Sequence, residues 1–371
     1  MNRLVIVSIF FVLLVSGCNK SAPPAAAKSG LGLTMSPGFE TEYEGEVTFA
    51  SQWGENKTPD TKYFITLAQV VLEKTADGYR VAVLRNVRES LAPAPGPGGA
   101  AAPVGQDFHV QTLNLGRDGT RGFPRPAQTV MPARVSQLQT DWFIPALAGN
   151  LTTGTEWPWQ ERVEVSGLRI EDCRTRYRVT GQEQAGGQSA TAIESTVDAK
   201  LPFMPFEAYQ AAMPYHLSEF KQKHWVGGRE PWLLKYERAA RTEQPTAENR
   251  LIIRHGLRFE LTRNNRLSAS ELRLRAEQIA RLEAIQNRIN QVYSTKDVRP
   301  LLDDAKLLAG ALDQQMFELL KGAANALVTQ FEQKLVMAEQ SEKVQRQQSE
   351  QSKQAASKAP SSPASKGKGK P

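Results

Sequence analysis

Residues 63–87 read YFITLAQVVLEKTADGYRVAVLRNV. Apolar side chains rich in Val, Ile and Tyr alternate or run together in two blocks, 63–72 and 79–87, a pattern typical of β-strands. The dipeptide Asp77-Gly78 lies between the blocks, and it is favoured in tight hairpin turns because glycine adopts positive φ without steric cost. The stretch therefore predicts an antiparallel hairpin.

Strand patterns continue on both sides of this hairpin. Segments 43–49 and 108–115 carry the same alternation, so the four blocks together predict an antiparallel meander. The intervening segment 92–105 is almost entirely Ala, Pro and Gly, which neither fill a core nor pair in a ladder. We expect it to form a projecting disordered loop.

A second group of strand patterns begins at Trp157 and Trp159, continues through 173–179, and ends at Ile193 and Val197, with Gly186-Gly187 as the turn between the last two.

Further along, Leu257, Phe259 and Leu261 alternate, and Asn264-Asn265 offers a turn after them. About nine strands joined mostly by short turns predict one large curved antiparallel sheet or open barrel, in a β-rich domain over 39–275. The segment 206–225 is predicted to be a helix that covers this sheet, with Pro205 placed at its start.

The C-terminal third has helical periodicity. Ile279, Leu282 and Ile285 follow three-four spacing, and the same spacing runs on from Leu301 to Leu335. Segment 276–341 is therefore predicted to be a helical hairpin, and the fold class is α+β. Residues 342–371 are basic and lack large hydrophobic side chains, which predicts a disordered tail.

The N-terminus carries a targeting pattern. After Met-Asn-Arg, about twelve apolar residues at 4–15 are too few to cross a hydrocarbon core of about 30 Å, and they end in small residues as a cleavable signal does. Residues 1–17 are therefore predicted to be a signal peptide. The Ala-, Pro- and Ser-rich residues that follow predict a flexible tether over 18–38.

The sequence Val-Ser-Gly-Cys at 15–18 resembles the lipobox of bacterial lipoproteins. That resemblance implies acylation of Cys18, with fatty acids such as palmitate, and a membrane anchor of more than one chain. Asn19 follows the cysteine where inner-membrane retention usually shows Asp, so the resemblance favours the outer membrane in a diderm host.

Composition and the absence of known motifs exclude several classes of protein. The chain has 371 residues, 40% hydrophobic, two cysteines and a net charge of +7, which excludes a disordered chain and a disulfide scaffold. It contains no nucleotide-binding, nucleophile-elbow, zincin or EF-hand motif. A non-enzymatic protein without a cofactor is therefore expected. Its predicted location outside the cytoplasm argues against a nucleic-acid partner.

Metal binding is also not predicted. His216, Glu219 and His224 would share one face of the predicted helix and resemble a zinc ligand set. Neighbouring aromatic residues favour instead the polar edge of a packed amphipathic helix.

Two clusters remain as candidate sites. The first is an aromatic cluster that lines a ligand cavity, lies at an interface or packs the core; its members are Phe206, Tyr209, Tyr215, Phe220, Trp225 and Trp232. The second is the period-two row Arg174, Arg176 and Arg178, which forms either a solvated sheet face or an anion contact.

The layout of lipidated tether, large antiparallel sheet and packed helices resembles periplasmic lipoprotein carriers and related bacterial lipoproteins of unknown function, whose concave sheets hold acyl chains. The resemblance implies an envelope lipoprotein that binds an apolar or lipid-like ligand or a protein partner. The alternative is a scaffold lipoprotein that docks through its C-terminal helices and adheres to anionic cell-wall polymers through its basic tail.

Overall fold

A computed structural model describes most of the domain. The described residues are 30–31, 35–58, 60–90, 106–116, 121–122, 147–148, 151–165, 168–197, 202–203, 215–227, 232–245, 250–312 and 318–358. The predicted signal peptide, the predicted acylation site Cys18 and the predicted loop 92–105 lie outside these ranges.

The described chain is built mainly of antiparallel strands. They are β1 (Gly30–Leu31), β2 (Phe39–Trp53), β3 (Asn56–Lys57), β4 (Thr61–Lys74), β5 (Gly78–Ser90), β6 (Gln106–Gly116), β7 (Arg121–Gly122), β8 (Leu147–Ala148), β9 (Glu156–Val165), β10 (Leu168–Ala185), β11 (Gln188–Val197), β12 (Pro202–Phe203), β13 (Tyr215–Gly227), β14 (Trp232–Pro245) and β15 (Arg250–Arg266).

One open sheet contains most of these strands, in the order β7-β6-β5-β4-β2-β15-β14-β13-β11-β10-β9, with β3 and β12 paired at its sides. The long strand β2 joins the two halves because it pairs with β4 on one side and with β15 on the other. The predicted large antiparallel sheet is confirmed.

Two predicted hairpin turns are confirmed. Strands β4 and β5 meet around Asp77-Gly78, and β10 and β11 meet at Gly186 and Gly187, which have φ of 55° and 74°. The turn predicted at Asn264-Asn265 is wrong, because β15 continues through both residues and pairs them with Thr41 and Glu40 of β2. The long partner strand extends the ladder through residues that favour turns when isolated.

The pairing register shifts at six points, in the pairs β4/β5, β9/β10, β10/β11, β13/β14 (twice) and β2/β15. Each shift is a bulge or irregularity that bends a strand and increases its twist. The sheet therefore departs from a flat layer.

The two faces of the sheet differ in what covers them. We call the face that carries Tyr43, Val47, Val81 and Phe259 the inner face, and the opposite one the outer face. Inner-face residues form one buried apolar cluster that reaches from Leu113 and Leu115 of β6 to Tyr177 and Val179 of β10. Part of the outer face carries Ala68, Val70, Ala82, Leu84 and Val110, and these pack against the helices.

Three helices follow the sheet in the described part of the chain: α1 (Ala269–Arg288), α2 (Thr295–Leu312) and α3 (Glu318–Lys358). Ser268 and Glu271 form a capping box that starts α1. The helix face expected from spacing is confirmed, since Ile279, Leu282 and Ile285 are buried. None of these helices is both long and apolar enough to cross a membrane.

Helix α1 also protects the edge of β6. The side-chain amide of Gln286 accepts from Val110 N (2.9 Å) and donates to Val110 O (3.0 Å), and Glu283 accepts from Thr112 N (3.1 Å). These bonds substitute for a neighbouring strand, so backbone groups at this edge are satisfied.

Helices α2 and α3 form an antiparallel pair, joined by Arg299–Glu339 (3.0 Å) and Lys306–Glu332 (3.0 Å) ion pairs. The predicted C-terminal helical pair is confirmed, although the single helix expected from Leu301 to Leu335 is two helices separated by 313–317, outside the described residues. Gly322 of α3 lies against Phe108, whose ring would be 2.9 Å from an added Cβ. A side chain there would force the helix away from β6.

The predicted tail boundary is wrong. Residues 342–358, expected to be disordered, continue α3, and only 359–371 lie outside the described residues. Glu, Gln, Lys and Ala are good helix formers, and Glu339/Lys343 and Glu342/Arg346 are spaced to support each other along the helix. Low hydrophobicity alone was therefore a poor indicator of disorder.

The predicted covering helix at 206–225 is also wrong where the structure describes it. Residues 215–227 form β13, whose Phe220, Gln222 and His224 point alternately to the inner face. Aromatic residues favour the pleated, half-buried surface of a sheet. The helices that do cover the sheet are α1, α2 and α3, on the outer face of β4, β5 and β6.

The end of the predicted tether belongs to the folded domain. Strand β1 pairs with β8, Met35 packs against the inner-face cluster, and Gly38 N donates to Val71 O at 2.8 Å. The predicted end of the flexible tether at residue 38 is therefore wrong, because Met35 and Gly38 already contact the sheet.

Candidate functional site

The predicted aromatic cluster is divided between the two faces of the sheet. Phe220 lies on the inner face, whereas Trp232 packs against both the inner-face cluster and the cluster that contains Trp225, with its ring stacked on Phe39 at 5.3 Å. Trp225 faces outward, packs against Ala192 and Leu234, and donates its Nε1–H to Glu183 Oε2 at 2.7 Å. Tyr215 begins β13, and Phe206 and Tyr209 lie outside the described residues. The residues therefore do not form one aromatic wall.

An aromatic row that sequence reasoning missed crosses the inner face instead. Trp157 stacks on Tyr177 with centroids 5.5 Å apart, His224 lies 5.9 Å from Tyr177, and Tyr236 lies 4.8 Å from His224. These residues come from β9, β10, β13 and β14. Offset and tilted ring pairs of this kind add to the stabilisation from burial. We call these four residues the aromatic row.

The rim of the inner face is also aromatic. Phe49, Tyr63, Trp157, Trp159 and Trp232 are partly buried and pack against the apolar cluster. Large side chains that are half covered present apolar surface next to solvent. The inner face is therefore the candidate ligand surface of the described chain.

Polar residues interrupt this apolar face in two places. On β5 and β6, Arg85 Nη1 lies 3.0 Å from His109 Nδ1, and both side chains are buried. A guanidinium only donates, so Nδ1 of His109 accepts and carries no proton. This pair therefore brings a cation into the interior next to a neutral imidazole.

The second place lies on β11, β13, β14 and β15. Ser195, Gln222 and Arg238 are directly opposite one another on successive strands. On the same face, Thr242 lies further along β14 and His255 lies on β15 opposite Ala240. We call these five residues, Ser195, Gln222, Arg238, Thr242 and His255, the inner polar cluster.

Burial controls the protonation of two histidines on the inner face. Burial lowers the pKa of His224 from 6.5 to about 3, although a hydrogen bond with the backbone of Ile193 opposes this. Burial, and secondly the positive charge of Arg238, hold the pKa of His255 well below its usual value. Both rings are therefore neutral at pH 7.

The outer face presents charge. Arg174, Arg176 and Arg178 are exposed while Thr175, Tyr177 and Val179 are buried, so the outward arginine row follows the predicted alternation. Arg178 Nε lies 3.5 Å from Glu156 Oε1, and Glu194 is directly opposite Arg178 on β11.

Arg178 belongs to a row of alternating sign. Directly paired positions on β2, β15, β14, β13, β11, β10 and β9 carry, in that order, Glu46, Arg258, Glu237, Lys223, Glu194, Arg178 and Glu156. Opposite charges facing each other stabilise a register, and like charges would destabilise it. This row therefore supports the order of the strands, although each exposed pair contributes little by itself.

An open groove of about 540 Å³ crosses the same outer face. Its floor includes the small residues Thr48, Gly256 and Ala239, which are opposite one another on β2, β15 and β14. Glu46, Lys221 and other charged side chains of both signs line it. Its mixed charge and polar lining suit an apolar ligand less well than the inner face.

The zinc ligand set considered for the sequence does not converge on β13. His224 is buried on the inner face, whereas Glu219 is exposed and its carboxylate binds Lys221 Nζ at 2.9 Å. Among the residues that the structure describes, no three His, Cys, Asp or Glu side chains form a metal-binding group.

Sequence reasoning missed the inner polar cluster. The alternation Leu257, Phe259, Leu261 continues backwards to His255, so period-two parity already placed this histidine inside. No pattern along the chain indicates that it meets Arg238 and Ser195, since these come from other strands.

No protein-family model and no curated protein matches the chain. Among solved structures, one of lipovitellin and its lipid–protein interactions is 12% identical and covers 64% of this chain and 26% of that chain, with a TM-score of 0.37. DynF of the dynemicin biosynthesis pathway of Micromonospora chersina is 11% identical, covers 68% and 92%, and has a TM-score of 0.21.

A DUF1329 family protein from Desulfovibrio piger is 10% identical, covers 64% of this chain and 91% of that chain, and has a TM-score of 0.16. The chain thus spans about a quarter of the lipovitellin chain. At these identities and TM-scores, none of the three similarities indicates a function for this chain.

Proposed function

We propose that the protein is a non-enzymatic envelope lipoprotein, anchored through Cys18, that binds an apolar or lipid-like ligand on the inner face of its sheet. The observation that carries the proposal is the apolar character of that face, which continues across the strands from β6 to β10 and ends in a partly exposed aromatic rim. The outer face is covered by helices or carries charge. A surface of this kind fits an acyl chain because apolar contact with an extended chain needs area rather than directional bonds.

The anchor part of the proposal rests on the lipobox pattern at 15–18. Acyl chains on Cys18 would hold the protein at a membrane, with the outer membrane of a diderm host as the proposed location. Two or more chains suffice for stable anchoring, whereas one gives only reversible binding.

Cys18→Ser is expected to abolish incorporation of labelled palmitate and to move the protein from the detergent phase to the aqueous phase on Triton X-114 partition. The physical reason is that the thioether and the acyl chains both depend on this sulfur. Cys173→Ser, the matched control, should keep full labelling. Equal labelling of Cys18→Ser and wild type would contradict the anchor.

The ligand part predicts that the delipidated protein takes up acyl chains next to inner-face tryptophans. A brominated fatty acid should quench tryptophan fluorescence, because bromine quenches at contact distance, and the quenched fraction should fall in Trp157→Phe. Trp225→Phe is the matched control because Trp225 lies on the outer face. Mass spectrometry of extracts from the purified protein would identify the natural ligand.

Two results would count against this function. Quenching that falls equally in Trp225→Phe and Trp157→Phe would place the ligand elsewhere. A protein that neither carries extractable lipid nor responds to the brominated acid would exclude lipid cargo.

A scaffold role is the second candidate function. Tyr293, Leu307 and Met337 of the helical region are 75%, 67% and 66% exposed, so their side chains offer apolar surface for contact with a partner. In this alternative, α2 and α3 dock onto a protein partner, and the basic C-terminal segment adheres to anionic cell-wall polymer. The absence of lipid cargo would favour it.

A further inference from the structure

The inner polar cluster contains buried hydrogen-bonding groups that no part of the described chain satisfies. Both ring nitrogens of His255, Ser195 Oγ and Thr242 Oγ1 are shielded from solvent and have no hydrogen-bond partner. His255, Ser195 and Thr242 are 2%, 1% and 0% exposed. Folded proteins rarely leave such groups unpaired, because burial removes their hydrogen bonds with water and nothing replaces them. His255 and Thr242 are diagonal neighbours on β15 and β14, and unsatisfied groups on adjacent strands indicate a place where a polar group from outside the chain is bound.

The satisfied members of the cluster are held in place by the sheet. Tyr236 OH donates to Gln222 Oε1 at 2.6 Å, and Gln222 lies between Ser195 and Arg238 in the strand register. Because the rows are fixed by antiparallel ladders on both sides, the polar atoms project from a rigid surface. A binding site on strands is more precisely positioned than one on loops.

The charge of the cluster is positive. Arg238 is on the inner face, whereas strand alternation places the described carboxylates of the neighbouring strands on the outer face: Glu46 of β2, Glu194 of β11, Glu219 of β13, Glu237 and Glu243 of β14, and Glu260 of β15. The neutral state of His255 agrees with a site that already holds one cation. The half-buried Arg238, with imidazole and hydroxyl groups on the same face of the sheet, suits an anionic oxygen group.

The aromatic row lies beside this cluster. Tyr236 belongs to the row and also donates to Gln222 of the cluster, so the polar and apolar parts meet at one residue. From there the row runs through His224 and Tyr177 to Trp157 at the rim. An amphiphile would therefore find its polar and apolar binding surfaces next to each other.

We infer that the inner polar cluster binds the anionic head group, a carboxylate or a phosphate, of an acyl ligand whose chain lies along the aromatic row. Arg238 supplies the charge, and His255, Ser195 and Thr242 supply hydrogen bonds. This inference rests on the proposed function, since it names the chemical class of the ligand that the inner face binds.

The test compares probes that share one acyl chain and differ in the head group. Oleic acid, oleoyl lysophosphatidate and oleyl alcohol are titrated into the delipidated full-length protein, and affinities are measured by calorimetry. We expect at least one of the two anionic probes to bind about tenfold or more tightly than the alcohol, because charge-assisted hydrogen bonds are lost with the alcohol. The tighter of the two anions identifies the head group as carboxylate or phosphate.

The variant Arg238→Gln should reduce the affinity for the preferred anion about tenfold and leave the affinity for oleyl alcohol unchanged. Arg238→Lys should retain most of the preference. Arg241→Gln is the matched control: Arg241 is on the outer face of the same strand and pairs with Glu243 at 2.8 Å. It should behave as wild type.

The outcomes separate the two proposals. If all three probes bind wild type with equal affinity, the head-group inference is wrong and the apolar ligand function stands. If no probe binds, both are wrong. Should Arg238→Gln fail to fold, the wild-type preference and the Arg238→Lys variant still decide the inference.

Discussion

Gly45→Ala is expected to lower the free energy of unfolding by about 3 kcal/mol or more, the upper range for overpacking. Gly45 of β2 lies opposite Phe259 of β15, and the Phe259 ring covers the glycine backbone. A Cβ at this position would lie 2.2 Å from Arg258 O and 2.5 Å from Phe259 Cδ1. The carbonyl belongs to the ladder that joins the two halves of the sheet, so it cannot move without breaking that ladder.

The matched control is the same substitution at Gly310. Nothing lies within 4 Å of a Cβ added there, in α2, and alanine is preferred over glycine in helices by about 1 kcal/mol. Gly310→Ala should therefore stabilise the protein while Gly45→Ala destabilises it. Urea unfolding followed by circular dichroism measures both midpoints. An unchanged midpoint for Gly45→Ala would show that the strand pair β2/β15 tolerates a side chain at this position and that the packing of Phe259 over Gly45 is not rigid.

Acidification from pH 7 to pH 5 is expected to lower the free energy of unfolding by about 4 kcal/mol, with His224 and His255 as the cause. The folded-state pKa of His224 is lowered from 6.5 to about 3, and that of His255 is also well below 6.5. Below pH 6.5 the unfolded chain takes up a proton at each histidine, whereas the folded protein does not. Their contribution is therefore fully present above pH 6.5 and is lost as the pH falls, by about 1.4 kcal/mol per unit for each histidine.

This pH window separates the histidines from the carboxylates. Burial raises the pKa of Glu40, which gives the opposite sign, and hydrogen bonds lower the pKa of Glu183 and Glu342, which gives the same sign. Carboxylates titrate mainly below pH 5. Urea midpoints at pH 7, 6 and 5 measure the slope. His224→Leu and His255→Leu should each halve it, and a double variant with the wild-type slope would refute the assignment.

The same two histidines also belong to the proposed ligand surface. His255 belongs to the inner polar cluster and His224 to the aromatic row, so acid that protonates either ring would disturb the proposed ligand surface as well as the fold. The folded protein keeps both rings neutral over the range in which stability falls, so ligand binding by the folded protein is expected to be lost only at more acidic pH. This coupling follows from placing polar groups within an apolar face.

Local patterns predicted the parts of the fold that depend on neighbours in sequence. Alternation from Arg174 to Val179 placed arginines outside and Tyr177 and Val179 inside, and the structure agrees. The turn at Gly186-Gly187, where both glycines have positive φ, followed from the conformational freedom of glycine, and the hairpin at Asp77-Gly78 followed from the turn preference of that dipeptide. Three-four spacing identified the buried face of α1, because helix geometry itself sets the direction of each side chain.

Composition misled where it replaced periodicity. Residues 215–225 were expected to be helical as the end of a segment that begins after Pro205, yet inward-facing Phe220, Gln222 and His224 alternate as in a strand. Residues 342–358 were expected to be disordered because they lack hydrophobic side chains, yet they extend α3. Glu342, at the start of this extension, accepts a hydrogen bond from Thr295 N. In the first segment the neighbouring strands stabilise the extended conformation, whereas in the second the helix propensity of Glu, Gln, Lys and Ala continues a helix that is already formed.

The sequence by itself determined the α+β class, the large antiparallel sheet, the helical C-terminal region and the inward parity of those strands that alternation identified. Only the tertiary structure decided that β2 pairs with β15, where Glu42 and Arg263 meet at 2.8 Å although 221 residues separate them. It also decided that Ser195, Gln222, Arg238 and His255, from four strands, share one buried patch. The physical reason is that alternation fixes the face on which a side chain lies, whereas neighbours across strands depend on strand order and register, which are set by contacts between distant parts of the chain.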